Sequence, residues 1–149
     1  MPTFTLITEE EKRWIEKQLQ VGGDIVSEFS PRDAWNPLRL EALERAWSAW
    51  MDTRAADSEE INRAINGIGI SFGELLVQSG VFEWTIATDD YGTDLAVRAL
   101  PNRGDVLLFP ANFVPKRWER KESNFIEQGF EAILSQVEQV RKDWDKTEK

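Results

Sequence analysis

The chain has 149 residues, 18 of them Lys or Arg and 27 Asp or Glu, giving a formal net charge of −9; such a charge repels phosphate backbones and anionic lipid, so neither nucleic acid nor a membrane is an expected partner. It contains no Cys and no His, which excludes disulfides, thiolate catalysis and cysteine metal sites, and removes the commonest general base and metal ligand. Any chemistry would rest on carboxylates, hydroxyls, lysines or a bound cofactor, and the fold is expected to need neither a cofactor nor a metal.

The length and an unbroken succession of patterned segments predict one α+β domain over residues 1–149, with no internal repeat, linker or low-complexity stretch. The opening Met1-Pro2-Thr3-Phe4-Thr5 lacks a basic start followed by an apolar core, and no stretch has the length to span a bilayer, so the expected location is cytoplasmic.

In chain order, Phe4 to Ile7 reads as a short edge strand or a packed lead-in, and a fourth strand near Thr3 is compatible with it. Thr8 with Glu11 three residues on marks a helix start. The first helix is expected over 8–22, ending at Gly22-Gly23, with Trp14, Ile15 and Leu19 as its apolar stripe. From Asp24 to Trp35 the pattern is irregular: Ile25, Val26 and Phe29 are expected to pack, and Ser30-Pro31 to break any helix. Asn36-Pro37 supplies a cap and first turn for a second helix over 37–54, carrying Leu40, Leu43, Trp47, Trp50 and Met51.

The third helix, 58–79, opens on Asp57 and Glu60 and carries Ile61, Ala64, Ile65, Ile68, Phe72, Leu75 and Leu76 in steps of threes and fours. Gly67, Gly69 and Gly73 interrupt it. Each costs roughly 1 kcal/mol relative to alanine, so their presence asks for a neighbouring backbone that passes close by. A phosphate cradle is the rival reading, but these glycines miss the dinucleotide spacing, follow no strand and lie within a helix instead of opening one.

After Gly80 the period changes from 3.6 to 2. Phe82, Trp84 and Ile86 alternate with Glu83, Thr85 and Ala87; Asp89-Asp90-Tyr91-Gly92 forms a turn; Leu95, Val97 and Ala99 follow; and a second turn at 101–105 leads to Val106-Leu107-Leu108-Phe109. The expectation is a three-stranded antiparallel meander over 82–109, ended by Pro110, which has no amide hydrogen for the ladder. The segment from Pro115 to Lys121, with Lys116, Arg117, Arg120 and Lys121 against Glu119, is the concentrated positive patch of the chain and reads as a solvated loop or helix start. A last helix over 122–143 carries Ile126, Phe130, Ile133, Val137, Val140 and Trp144 toward the core or a coiled-coil seam, and residues 145–149 are expected to fray.

The ordered set Ile70-Ser71-Phe72-Gly73-Glu74-Leu75-Leu76, Glu83-Trp84, Tyr91-Gly92-x-Asp94-Leu95-Ala96-Val97, Leu108-Phe109-Pro110 and Val114-x-Lys116-Arg117 resembles the bacterial family known as domain of unknown function 3806. The resemblance covers the middle and C-terminal half of the chain. It implies a bacterial α+β domain and brings no catalytic residues with it.

The acidic turn from Asp89 to Asp94 invites a calcium reading, but Tyr91 stands where an EF-hand loop needs an oxygen ligand and Gly92 comes too early. Glu74 and Glu83, with Asp89, Asp90 or Asp94, are candidate paired carboxylates of the kind glycosidases use. Of seven tryptophans, Trp35 and Trp118 lie outside the strongest stripes and are candidate partner-binding residues. Asp89, Asp90, Tyr91 and Asp94 join them on the acidic side, with Lys116 and Arg117 on the basic side. The leading expectation is a non-catalytic, acidic protein-interaction domain, with an immunity or inhibitor role against a basic partner as its concrete form. The alternatives are a small carboxylate-dependent enzyme acting on a sugar or other small molecule, and a subunit that forms a homodimer through the C-terminal helix.

Overall fold

The computed structural model, which describes residues 2–53 and 57–147, is α+β. Over those residues five helices pack with a four-stranded antiparallel sheet of order β1-β2-β3-β4. The expected capping box is present: the Glu11 amide donates to Thr8 Oγ1 (3.4 Å) and the Thr8 amide to Glu11 Oε1 (2.6 Å), starting α1 (Glu9–Phe29). Before it, β1 (Thr3–Thr5) pairs with β2 (Glu83–Asp89), making the fourth strand. Met1 lies outside the described residues.

The first correction concerns α1, which runs straight through Gly22-Gly23 and stops at Phe29, where Ser30 caps and Pro31 opens a short 3-10 turn (Pro31–Asp33). The reason is tertiary. Gly22 sits where α1 crosses α3 (Ser58–Gln78), and a Cβ there would come within 2.8 Å of the Gly67 carbonyl oxygen, while one on Gly67 would stand 3.0 Å from the Gly22 nitrogen. Gly22, read as part of a helix stop, therefore lets two helices touch at their backbones. The same argument accounts for α3: a Cβ on Gly69 would stand 3.0 Å from the Pro110 carbonyl oxygen, and one on Gly73 would stand 2.7 Å from Cη2 of Trp84. The α3 glycines are thus close-packing positions, and α3 is capped by Asp57 accepting from the Glu60 amide (2.9 Å).

The second helix, α2, spans Leu40–Met51 and starts three residues later than expected. Arg39, at its N-cap, holds the entry open by donating from Nε to the Asn36 carbonyl (2.8 Å) and from Nη1 to Glu41 (2.9 Å). Its expected end at Arg54 lies outside the described residues. From α2, Leu43, Trp47 and Trp50 enter a core shared with Ile25 and Val26 of α1 and Ile68, Phe72 and Leu76 of α3.

β2, β3 (Gly92–Ala99) and β4 (Val106–Leu108) form the expected meander, with Trp84 opposite Val97 and Val97 opposite Leu108. Pro110 ends β4 but also opens a helix, α4 (Pro110–Glu119), where the expectation was a loop or helix start from Pro115. The last helix, α5, spans Ile126–Thr147, and Glu148 and Lys149 lie outside the described residues. Trp84 and its row face α3 and α4. On the other side of the sheet Thr85, Ala87 and Ala96 are also buried, because the Arg98 guanidinium lies across to the Phe4 ring (3.7 Å) and is held there by Asp105. Burial pushes the Asp105 carboxyl up, but the Asn102 amide and Arg98 together outweigh it and hold the group below the ordinary range.

Candidate functional site

Asp89 pairs with Gly92 at the end of the β2–β3 hairpin, so Asp90 and Tyr91 are the two residues of its loop. Gly92, at φ 143°, supplies a conformation other residues rarely adopt. The turn is tied from within: the Tyr91 amide donates to Asp89 Oδ1 (2.8 Å), and the Thr88 and Thr93 hydroxyls lie 3.0 Å apart one pair below. On this fixed platform Tyr91 is 99% exposed. Asp90 and Asp94 stand beside it, exposed and with no hydrogen-bond or ion-pair partner among the described residues. The tip thus holds an aromatic ring in water among carboxylates.

Two more exposed apolar side chains lie away from the tip, further down the sheet and along α1. Thr5 pairs with Ile86, and Leu6 just after it is 90% exposed. Leu95, opposite Ile86, lines a shallow cleft of about 550 Å³ with Trp14, Glu10, Arg13 and Lys17 of α1. Trp14, expected on the packed stripe, is instead 40% exposed.

Trp35 is elsewhere, past the C-terminal end of α1, a 21-residue helix and so about 30 Å long. It is 75% exposed and stacks over the Arg39 guanidinium (4.5 Å). Trp118 is half-buried against the rings of Trp50 (5.0 Å) and Trp47 (6.4 Å), with Lys121 Nζ 3.6 Å from its ring. Arg117 pairs with Glu122 (3.2 Å) and lies over Phe113 (4.8 Å), whereas Lys116 is exposed and without a partner among the described residues. The candidate carboxylates are not brought together: Glu74 accepts from Trp84 Nε1 (3.0 Å) and Gln78 (3.2 Å) on the helical side, and Glu83 is on the opposite side of the sheet. Among the described residues no three acidic groups converge into a metal-holding set.

A family model described as Domain of unknown function (DUF3806) matches residues 43–128, more than half of the chain. The chain belongs to the DUF3806 family. No curated protein and no solved structure matches it. The DUF3806 segment contains the α3 glycines, the hairpin tip and the basic turn, whereas Trp14 and Trp35 precede it.

Across the start of that segment is a network that the residue pattern did not reveal, with Ser30, Asp33 and Arg39 before it and Arg45 within it. Asp33, 2% exposed, accepts from Arg45 Nε (2.8 Å) and Nη2 (2.6 Å), from Ser30 Oγ (2.5 Å) and from Arg39 Nη2 (2.8 Å). Arg45 above all, then Ser30 and Arg39, hold its carboxyl well below the ordinary range, against the upward push of burial. Inside the DUF3806 segment Glu44 accepts from the Ile126 and Glu127 amides (2.7 and 3.2 Å), capping α5 from a different helix. Burial pushes Glu44 up, and those two amides offset it only in part. Asp33 and Glu44 are structural, each taken up by hydrogen bonds within the fold.

Proposed function

We propose that this DUF3806 chain is a non-catalytic interaction domain that engages a basic protein through its hairpin tip, an immunity or inhibitor role toward such a partner being its concrete form. The observation that carries the reading is Tyr91, 99% exposed on an internally bonded two-residue turn. An aromatic anchor on a fixed turn loses little conformational freedom on docking, which is how a few interface residues come to supply most of the binding energy. Asp89, Asp90 and Asp94 surround it with charge that speeds encounter with a basic surface.

The enzyme alternative has less support, since Glu74 is held by Trp84 and Glu83 lies across the sheet. No helix among the described residues is long and apolar enough to cross a membrane; a cytoplasmic setting in a bacterium completes the proposal. The test uses the parent chain and a variant carrying Asp89→Asn, Asp90→Asn and Tyr91→Ala as parallel baits. A basic protein retained by the parent and lost by the variant, with an association rate that falls as salt rises, supports the reading. Identical retention and identical rates for the two baits overturn it.

A further inference from the structure

At the other end of β3 the molecule carries the chemical complement of its own tip. A groove of about 280 Å³ lies between β4 and α4, with Leu107, Phe109 and Phe113 as its floor and Asn112, Lys116 and Arg117 on its rim. Both cations belong to the concentrated positive segment of a chain whose net charge is −9. Arg117 is fixed by Glu122 and the Phe113 ring, while Lys116 extends unpaired among the described residues. β4 is an edge strand, so no further strand closes this side of the sheet. An apolar floor rimmed by cations suits an exposed ring flanked by carboxylates.

The tip cannot fold back into this groove within one molecule. It ends at Gly92, and β4 begins to pair only at Val97, which sets the two sites about 17 Å apart along a single strand at ~3.3 Å per residue. We propose that the groove between β4 and α4 receives the hairpin tip of a second copy of this chain, Tyr91 resting on the apolar floor and Asp89 and Asp90 facing Lys116 and Arg117. The inference rests on the reading of the tip as the recognition element, and gives that tip the local basic patch at Lys116 and Arg117 of a second copy in place of a basic protein. Because two different patches meet, the contact is heterologous: it closes into a reciprocal dimer or propagates, depending on the angle it sets. A contact of one ring and a few rim charges is small, so the association is weak and salt-sensitive.

Sedimentation of the full chain over a wide concentration series, at low and high salt, tests this. The expected result is a mass that rises with concentration and falls back with salt. Tyr91→Ala and Lys116→Glu, both exposed sites, should each weaken the association by at least about tenfold, the scale set by loss of one anchor. Mixing the two variants should restore it in part, since the Lys116→Glu copy keeps an intact tip and the Tyr91→Ala copy an intact groove. A parent that stays monomeric throughout overturns the proposal. So does self-association that both variants leave unchanged, which would move the contact elsewhere, to α5 for instance, and so does a mixture no stronger than its components. Should the parent stay monomeric while a basic protein is still captured through the tip, self-association fails and the functional reading stands. Tip-dependent self-association with no other protein captured gives the reverse outcome.

Discussion

Asp33, in the turn after α1, and Asp90, at the hairpin tip, are the same residue type, and they do opposite work. Asp33 is buried and bound by Ser30, Arg39 and Arg45, so its charge is used up inside the molecule, holding the α1–α2 turn. Asp90 has no partner among the described residues, and its charge is available to whatever approaches. An engaged carboxylate acts on stability and hardly on encounter, whereas an unengaged one acts on encounter and hardly on stability. The contrast extends to whole regions. The helical side is satisfied, with glycines at the contacts and no buried side-chain polar atom lacking a partner among the described residues; the tip of the sheet leaves a ring and three carboxylates in solvent.

If that division holds, the engaged side should break hardest at its tightest contact. Gly73→Val would place a side chain against Trp84, and Trp84 cannot swing aside without giving up its hydrogen bond to Glu74. The expected loss is about 1–3 kcal/mol of stability by overpacking, read as a lowered midpoint in denaturant. An unchanged midpoint would show that the α3–sheet contact yields to a side chain despite the 2.7 Å approach to Trp84.

Asp33 sharpens the comparison through pH. Its carboxyl is held below the ordinary value, so in acid the unfolded chain takes up a proton before the folded one does. The stability it contributes is complete above the unfolded value, near pH 4, and drains away as pH falls from there toward the folded value. Glu44, pushed up, runs with the opposite sign. Asp33→Asn should therefore lower the thermal midpoint at neutral pH and flatten its decline in acid. A variant whose midpoint runs parallel to that of the parent across this range would remove Asp33 from the engaged set. Glu44→Ala should cost about 1 kcal/mol, the usual loss of a helix N-cap, with Glu44→Gln recovering part of it because one acceptor oxygen remains.

What the residue pattern revealed follows the same division. Thr8 with Glu11, Asp57 with Glu60, the α3 stripe and the hairpin turn are set by neighbours within a few positions, and all are present. The need for a close neighbour at Gly67 and Gly73 was legible too, though not which neighbour. Hidden were features that join distant residues: Asp33 to Arg39 and Arg45 across a turn, and Glu44 to Ile126 across two helices and a sheet. Gly22-Gly23 misled because the role of Gly22 depends on Gly67. Pro110 misled differently, since a proline that ends a strand suits the first position of a helix equally well. Pro115 then disguised α4, which tolerates it within ten residues. Of the site, the tip was legible because its turn chemistry is local; the groove beside Lys116 was not, as it joins Leu107 of β4 and Phe109 to Phe113, Lys116 and Arg117 of α4.

The smallest expected effect on stability is at the tip, and it is the one that decides the comparison. Replacing Asp89 and Asp90 by Asn keeps shape, turn preference and the acceptor for the Tyr91 amide nearly intact. No ion pair is broken, so stability should move by no more than about 0.5 kcal/mol, as at ordinary surface sites, and relief of self-repulsion in a chain of net charge −9 favours a slight gain. Association with a basic surface should change far more, with a slower on-rate at low salt and a difference from the parent that closes as salt rises. Measuring melt and association rate on the same preparation separates the two regions cleanly. A tip variant that unfolds early would show that these carboxylates are engaged after all, and one that associates as fast as the parent at low salt would leave the tip without a role in encounter.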